Sequence, residues 1–599
     1  MANQKLEPLL NLALMTPEET RERSQILEVG FSSASRTWEL IVKYNGDIKR
    51  LESDVIQVEE LIAGYAVVTL PEDLVEAFSQ LEEVEYVEKP KRLYFSVLQG
   101  KEASCILPVT IRSPFLTGRG VLVAVIDSGI DYTSPEFTDR AGNTRILSLW
   151  DQTLLPERVD ALLPEGYEEF AIAAPPVGFN TGVEFSSQRI NAALQSTTPQ
   201  LIVPSRDSSG HGTAVAAIAA AGGKLDQGRY QGVAPESSLL VVKLGNSLPN
   251  SFPRTTELMR ALTYVVRKSL ELGMPLSINL SFGNTYGSHD GTSLVERFLD
   301  NVGEVGRTVI CVGSGNEGAA GGHTAGRLET GEVKRVELAV GNYQTAFSVQ
   351  LWKEYVDDFG LELISPGGQS TVVELSSPDA VSIMLEGTEL LVYVGEPSPY
   401  SVSQEIYLDF LPLGSYVTPG IWSFVFSPRK IVGGNYDLYL PSSSVLNEAT
   451  RFFAPVPDKT LTIPSTASKV ITVGAYNASY SAYADFSGRG YPLISASQGR
   501  MPEQTIKPDL AAPGVNINTI GPEGTFVQVS GTSFATPFVA GSAALLMEWG
   551  IVKGNDPFLY GEKVKAYLRK GAVPIRGENV YPNDRVGYGA LCLNSSFPT

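Results

Sequence analysis

Residues 120–127 read GVLVAVID, a run of apolar residues and glycine without polar alternation, closed by an acid. A run of that kind is the pattern of a strand buried on both faces. The texture recurs in SSLLVVKL (237–244), PLSINLSFG (275–283) and RTVICVGSGN (307–316). Between these runs lie HGTAVAAIAAA (211–221) and TTELMRALTYVVRKSLELG (255–273), which read as helices. Buried strands alternating with helices predict an α/β fold, a parallel sheet with helices on both faces. Ligands of such sheets gather at the C-terminal ends of the strands. KVITVGAYN (469–477) and INTIG (517–521) resume the pattern, and GTSFATPFVAGSAALLMEW (531–549) makes a long apolar helix.

Two regions depart from this rhythm. In residues 37–96, TWELIVKYN and LIAGYAVVTL read as strands, and EYVEKPKRLYF returns as a third. PEDLVEAFSQLEEV (71–84) has a proline start and helical spacing of Leu74, Val75, Phe78 and Leu81. The expectation is a small α+β unit on one antiparallel sheet. From 327 to 462, short β-type runs such as VKRVELAVG, FSVQLWKEY, EIYLDFLP and IWSFVFSP follow one another with turn residues between and no useful helix. That region predicts an all-β sandwich inserted into the α/β domain. The expected division is therefore 1–96, 97–326, 327–462 and 463–599.

The formal net charge is −20, so no basic surplus exists to displace counterions from a nucleic acid. The three cysteines, Cys105, Cys311 and Cys592, make a sparse, odd set that predicts no disulfide framework. Cys311 lies in an apolar run and reads as a small buried hydrophobe. The apolar patch at 9–15 is flanked by acids with no convincing cleavage site, so no secretory signal is expected. No stretch of 18 apolar residues suggests a membrane span.

Only three histidines occur: His211, His289 and His323. His211 sits between Gly210 and Gly212 at a helix start. Asp127 ends a strand. Ser533 follows a glycine at the head of an apolar helix. Alone, each has an ordinary reading: a structural histidine, a turn acid, an N-cap. Together they supply what acyl transfer needs. A serine hydroxyl is a weak nucleophile that needs a base, and an acid fixes that base's tautomer. Their chain order, Asp–His–Ser, is one of the known orders for such a triad. A competing motif, G-x-G-x-x-G at Gly313, Gly315 and Gly318, would bind a dinucleotide only if it opened a helix, and AAGGHTAG does not read as one.

VAVIDSGID (123–131), SSGHGTAVAAI (208–218) and SGTSFATPFVAGSAALL (530–546) closely resemble the three active-site motifs of the subtilase family of serine proteases. VGSGNEG, FSGRG and IKPDLAAPG are similar to its core loops. The resemblance covers about 105–325 and 463–595. It implies catalysis by Asp127, His211 and Ser533, with Asn316 as an oxyanion donor. It also implies a peptide lying against Ser281, Phe282 and Gly283, with Gly313, Ser314 and Gly315 as the opposite wall, the glycines leaving room for the substrate chain. No cofactor and no metal site are expected, and Asp131 and Asp207 read as solvated or hydrogen-bonded.

The N-terminal unit, TRILSLWDQT (144–153) and the β insert resemble more closely the Csp germination proteases of spore-forming anaerobes. That resemblance implies a prodomain cut by the enzyme itself within an extended segment and kept bound non-covalently; cleavage between Ser96 and Val97 is favoured, with cleavage after Leu98 the alternative. It further implies activation of a spore-cortex hydrolase zymogen and a cytoplasmic or spore-associated location. The insert, expected to be jelly-roll-like, would add rigidity and no chemistry. The alternatives are a general intracellular or envelope subtilase, a signalling pseudoprotease, and a carbohydrate-binding protein. The last rests on Trp352, Tyr355 and Trp422, for which core packing is the simpler role.

Overall fold

A computed structural model describes residues 5–16, 30–60, 64–89, 96–245, 253–375, 380–491 and 506–598. Two compact units are formed, Met1–Tyr94 and Phe95–Thr599. In the first, strand Thr37–Tyr44 pairs antiparallel with Tyr65–Pro71 and with Val84–Glu88. Its alternate residues Trp38, Leu40 and Val42 are buried with Val68, Leu70 and Val87. Leu10 and Ala13, from helix Pro8–Met15, join that core. The helix expected over 71–84 is shorter. A 3₁₀ turn (Glu72–Leu74) leads into helix Val75–Ser79, and the chain then turns so that Val84 pairs with Tyr44. Leu81 is left exposed. The third strand ends at Glu88, and residues 90–95 of its expected course lie outside the described residues.

The second unit is built on a nine-stranded sheet. Its central strands are β1 (Leu122–Asp127), β2 (Ile146–Asp151), β3 (Ser238–Lys243), β4 (Leu276–Leu280), β5 (Thr308–Gly313) and β6 (Ile471–Asn477). Across the sheet they run β6–β5–β4–β1–β3–β2, all parallel. Every residue of β1, β4 and β5 is buried, as the unbroken apolar runs require. Helices α1 (His211–Ala220) and α3 (Thr532–Met547) pack on one face. The amphipathic α2 (Thr255–Leu272) packs on the other. Helix α3 is long and apolar enough, continued to Val552, to cross a membrane by composition, but it is mostly buried inside the protein.

The inserted region forms two antiparallel sheets, of six and five strands, around one core that includes Leu351, Leu408, Phe424 and Phe426. It begins earlier than the expected residue 327, because strand His323–Arg327 already pairs with Asn435–Tyr439. Trp422 belongs to this core and donates to the Thr418 carbonyl, while Tyr355 is exposed, so the aromatic trio makes no common surface.

The cysteine expectation is corrected. Cys105 and Cys592 form a disulfide, with Cα atoms 4.7 Å apart and a separation of 487 positions in sequence. The backbone bonds Leu593 N–H to Ser104 O and Asn594 N–H to Cys105 O bring the two segments together. No sequence spacing reveals such a pair. Cys311 is buried in β5, and that burial pushes its thiol pKa up.

The sandwich is fastened to the α/β core through Tyr439, whose ring lies 4.0 Å from His289 and 4.5 Å from His323, both stacked. His289 is wholly buried and takes a positive φ of 54°. Its ring nitrogens face the Leu461 and Thr285 carbonyls. Burial outweighs those carbonyls and lowers its pKa to about 4. The folded protein therefore binds fewer protons at this site than the unfolded chain, and the stability it contributes is lost as pH falls from the ordinary imidazole value toward 4. Thermal unfolding of wild type should steepen across that window relative to His289→Asn, by up to about 1.4 kcal/mol per pH unit. Asn tolerates the left-handed backbone. Parallel pH profiles for the two proteins would refute this role.

Candidate active site

Strand β1 ends in Asp127, and α1 starts with His211 close beside it. Gly212 permits the approach, since a Cβ there would collide with the Gly129 carbonyl. Asp207 anchors the same turn. Its carboxylate accepts from the Gly210 and Thr213 N–H groups, the Thr213 hydroxyl and the Ser128 hydroxyl. It therefore satisfies N–H groups that a helix start leaves unpaired. Asp131 accepts from Thr133 and from the Glu523 N–H. Both acids are thus hydrogen-bonded within the fold.

His211 Nδ1 lies 2.7 Å from Asp127 Oδ1, which also accepts the Ser128 N–H at 2.7 Å. Burial of the imidazole opposes its charge, but the neighbouring Asp127 carboxylate outweighs that cost, and the pKa is raised. With Nδ1 occupied, Nε2 is the nitrogen left to exchange a proton with a substrate or nucleophile.

Ser533 stands in the first turn of α3. Its hydroxyl donates to the Ser281 carbonyl (2.8 Å) rather than to His211, and the Ser281 hydroxyl donates back to the Ser533 carbonyl (2.8 Å). Asn279, buried in β4, donates to the Ser281 hydroxyl at 2.8 Å. Asn316 follows β5, and its side-chain oxygen accepts from the Thr532 N–H (3.0 Å) and hydroxyl (3.2 Å). That leaves the Asn316 amide as a donor. Thr532 is the holder of this residue, which sequence inspection did not single out.

Ser281, Phe282, Gly283, Gly313, Gly315, Asn316 and Ser533 all line one cleft of about 310 Å³. Ser314 does not. Its hydroxyl is buried against Ser487, its N–H donates to Val473, and its carbonyl accepts from Thr462. A Cβ on Gly283 or on Gly315 would come within 2.5 Å of Thr462 Oγ1, so both glycines let the backbone pack against Thr462, which lines the same cleft. Gly318 abuts the backbone of Ser487, and the chain after it enters strand His323–Arg327. The glycine motif therefore opens no helix.

Ser96 and Val97 begin a helix, Ser96–Ala103, and are not in the extended segment expected there. Glycine at position 100 seats this helix on Phe538 of α3. The insert also contributes to the site, against its expected role as a passive brace. Ser442, Ser443 and Ser444 also line the cleft, together with Glu317. Nothing in the sequence marks those serines, which lie more than a hundred residues from Asn316.

The sequence model of the subtilase family matches residues 118–405 and 433–589, and that of the Csp protease B prodomain matches residues 4–91. The solved structure of the Clostridium perfringens CspB protease is similar at 38% identity and a TM-score of 0.73, covering 83% of this chain and 96% of that one. Serine protease AprX of Bacillus subtilis is 32% identical over 165 residues, 24% of this chain and 33% of its own length. The minor extracellular protease Vpr of the same organism is 23% identical over 506 residues, 79% of this chain and 51% of its own length. The chain thus spans about a third to a half of the length of these curated relatives.

The raised pKa of His211 has a measurable consequence. With isotope-labelled histidine, His211 should titrate above the ordinary value of about 6.5. In Asp127→Asn, where burial remains and the carboxylate is gone, it should titrate below that value. Identical titration in the two proteins would contradict the pairing.

Proposed function

The chain belongs to the subtilase family, and from that membership we propose that it is a serine endopeptidase using Ser533, His211 and Asp127. The observation that carries the reading is the convergence at one edge of the sheet. The His211–Asp127 pair is 2.7 Å long, and Ser533 shares a cleft with Asn316. Rotation about χ1 moves the Ser533 hydroxyl from the Ser281 carbonyl toward His211 Nε2. The hydroxyl then attacks a peptide carbonyl while its proton passes to His211. The developing oxyanion is met by the Asn316 amide and by the Ser533 N–H, which in a helix's first turn has no intrahelical acceptor. His211 returns the proton to the leaving amine, and water completes the hydrolysis through the same groups.

The N-terminal unit is read as a prodomain that the enzyme cuts, between Ser96 and Val97, and retains non-covalently. Its match over residues 4–91 to the Csp protease B prodomain supports the prodomain reading. The same match, with the likeness to the CspB protease, supports a Csp-type protease. The role proposed for it is activation of the zymogen of a spore-cortex hydrolase, in a cytoplasmic or spore-associated location. The rival, a pseudoprotease, keeps the fold without the chemistry.

Ser533→Ala should lower peptide hydrolysis by about 10⁶-fold, the cost of losing the nucleophile in subtilisin. A fluorophosphonate should label wild type and not the variant. On a denaturing gel, wild type should show two fragments that co-purify natively, and the variant one chain. Absence of labelling in wild type favours the pseudoprotease, and cutting in the variant overturns self-processing. Asn316→Ala should cost about 10²–10³ in turnover with little change in substrate affinity. Incubated with a cortex-hydrolase zymogen, wild type should release the active form, and an unchanged zymogen would rule out that role.

A further inference from the structure

The inserted sandwich reaches into the cleft through one short stretch. After strand Asn435–Tyr439 the chain runs through Pro441 into the 3₁₀ turn Ser443–Val445. Ser442, Ser443 and Ser444 line the cleft that holds Ser533. Two neighbouring clefts share that wall. One of about 390 Å³ includes Ser442 and Ser444 with Phe282 and Gly283, and one of about 440 Å³ includes Ser443 with Asn316.

Glu317, the residue after Asn316, clamps this stretch. Its carboxylate accepts from the Ser442 hydroxyl (2.7 Å), the Ser443 N–H (3.2 and 3.3 Å) and the Ser443 hydroxyl (3.3 Å). Glu317 is nine-tenths buried. Among the described residues lining the cleft it carries the sole charge, and that charge is already engaged by three donors. Thr462, which lines the same cleft, packs against both Gly283 and Gly315. The surface offered beside the nucleophile is therefore mostly small and polar, and its one charge, the Glu317 carboxylate, is turned onto the serines of the insert. An anionic side chain entering it would lose hydration and meet Glu317, and a cationic one would lose hydration while the Glu317 carboxylate stays bound to Ser442 and Ser443.

We propose that residues 442–444 of the insert, clamped by Glu317, form a specificity wall of the substrate cleft that admits an uncharged residue immediately before the scissile bond. The proposal rests on the endopeptidase reading above. It gives the insert a part in substrate choice beyond bracing the fold. The proposed self-cleavage after Ser96 presents such an uncharged residue.

The test uses full-length protein and three peptides that differ only in the residue before the scissile bond: Ala, Glu or Lys. Fluorophosphonate labelling scores the competent enzyme in each preparation. Wild type should cleave the Ala peptide at least about tenfold better, by kcat/KM, than either charged one. Ser444 is exposed, so Ser444→Asp and Ser444→Lys alter charge on the wall with little burden on folding. Their Lys-to-Glu preference ratios should move in opposite directions, each by about tenfold. The double variant Ser442→Ala/Ser443→Ala removes the hydroxyl donors from Glu317 and should raise cleavage of the Lys peptide relative to Ala. Adding Glu317→Gln should abolish that rise. Normal labelling with unmoved ratios at position 444 overturns the proposal while leaving the endopeptidase reading intact. Absence of labelling in wild type overturns the endopeptidase reading itself.

Discussion

Burial of α3 on all sides determines where its first turn lies. From Phe534 to Met547 every side chain is enclosed by the core. Gly541 brings the helix against Val233 and the Ala219 carbonyl at the end of α1, where a side chain would collide. A helix so confined cannot slide or rotate without opening cavities, each methyl-sized void costing about 1 kcal/mol. Thr532 and Ser533 are thus delivered to a constant place at the cleft, where Asn316 and Ser281 hold them. The α/β core acts as a jig for that first turn.

The other half of the site depends on the ends of the parallel strands. Strand β1 lies between β4 and β3, and β4 is followed by β5. Parallel strands all finish at the same edge, so Asp127, the segment after Leu280 and the segment after Gly313 emerge there together. Asp207 then ties the start of α1 to the turn after β1, which sets the His211 ring against Asp127. The aspartate–histidine bond is a consequence of sheet order and one capped helix.

The insert is joined to this core by packed aromatic rings and by a few hydrogen bonds. Tyr439 lies between His289 of the core and His323 of the insert's first strand. The Thr285 hydroxyl donates to the Leu440 carbonyl, and the Gly287 N–H to Gln350. These contacts place the turn that follows, with its serines, against Glu317. An insertion between β5 and β6 thereby becomes part of the cleft without altering the sheet.

The linear order of residues determined much of this protein. Continuous apolar runs ending in Asp127 and near Asn316 specify buried parallel strands, because a strand with both faces covered has no polar position to spare. Glycines around His211 and before Ser533 mark tight packing, Gly212 against the Gly129 carbonyl and Gly531 beside the Asn316 side chain, and three motifs in a set order mark the chemistry. Such signals are local, carried by neighbours along the chain. The disulfide of Cys105 and Cys592, the clamp of Glu317 on Ser442 and Ser443, the packing of Thr462 against Gly283 and Gly315 and the direction of the Ser533 hydroxyl are decided by tertiary structure. Each depends on residues from distant segments meeting at one point, or on a rotamer that the surrounding acceptors select, and no periodicity or spacing along the chain encodes where those segments meet.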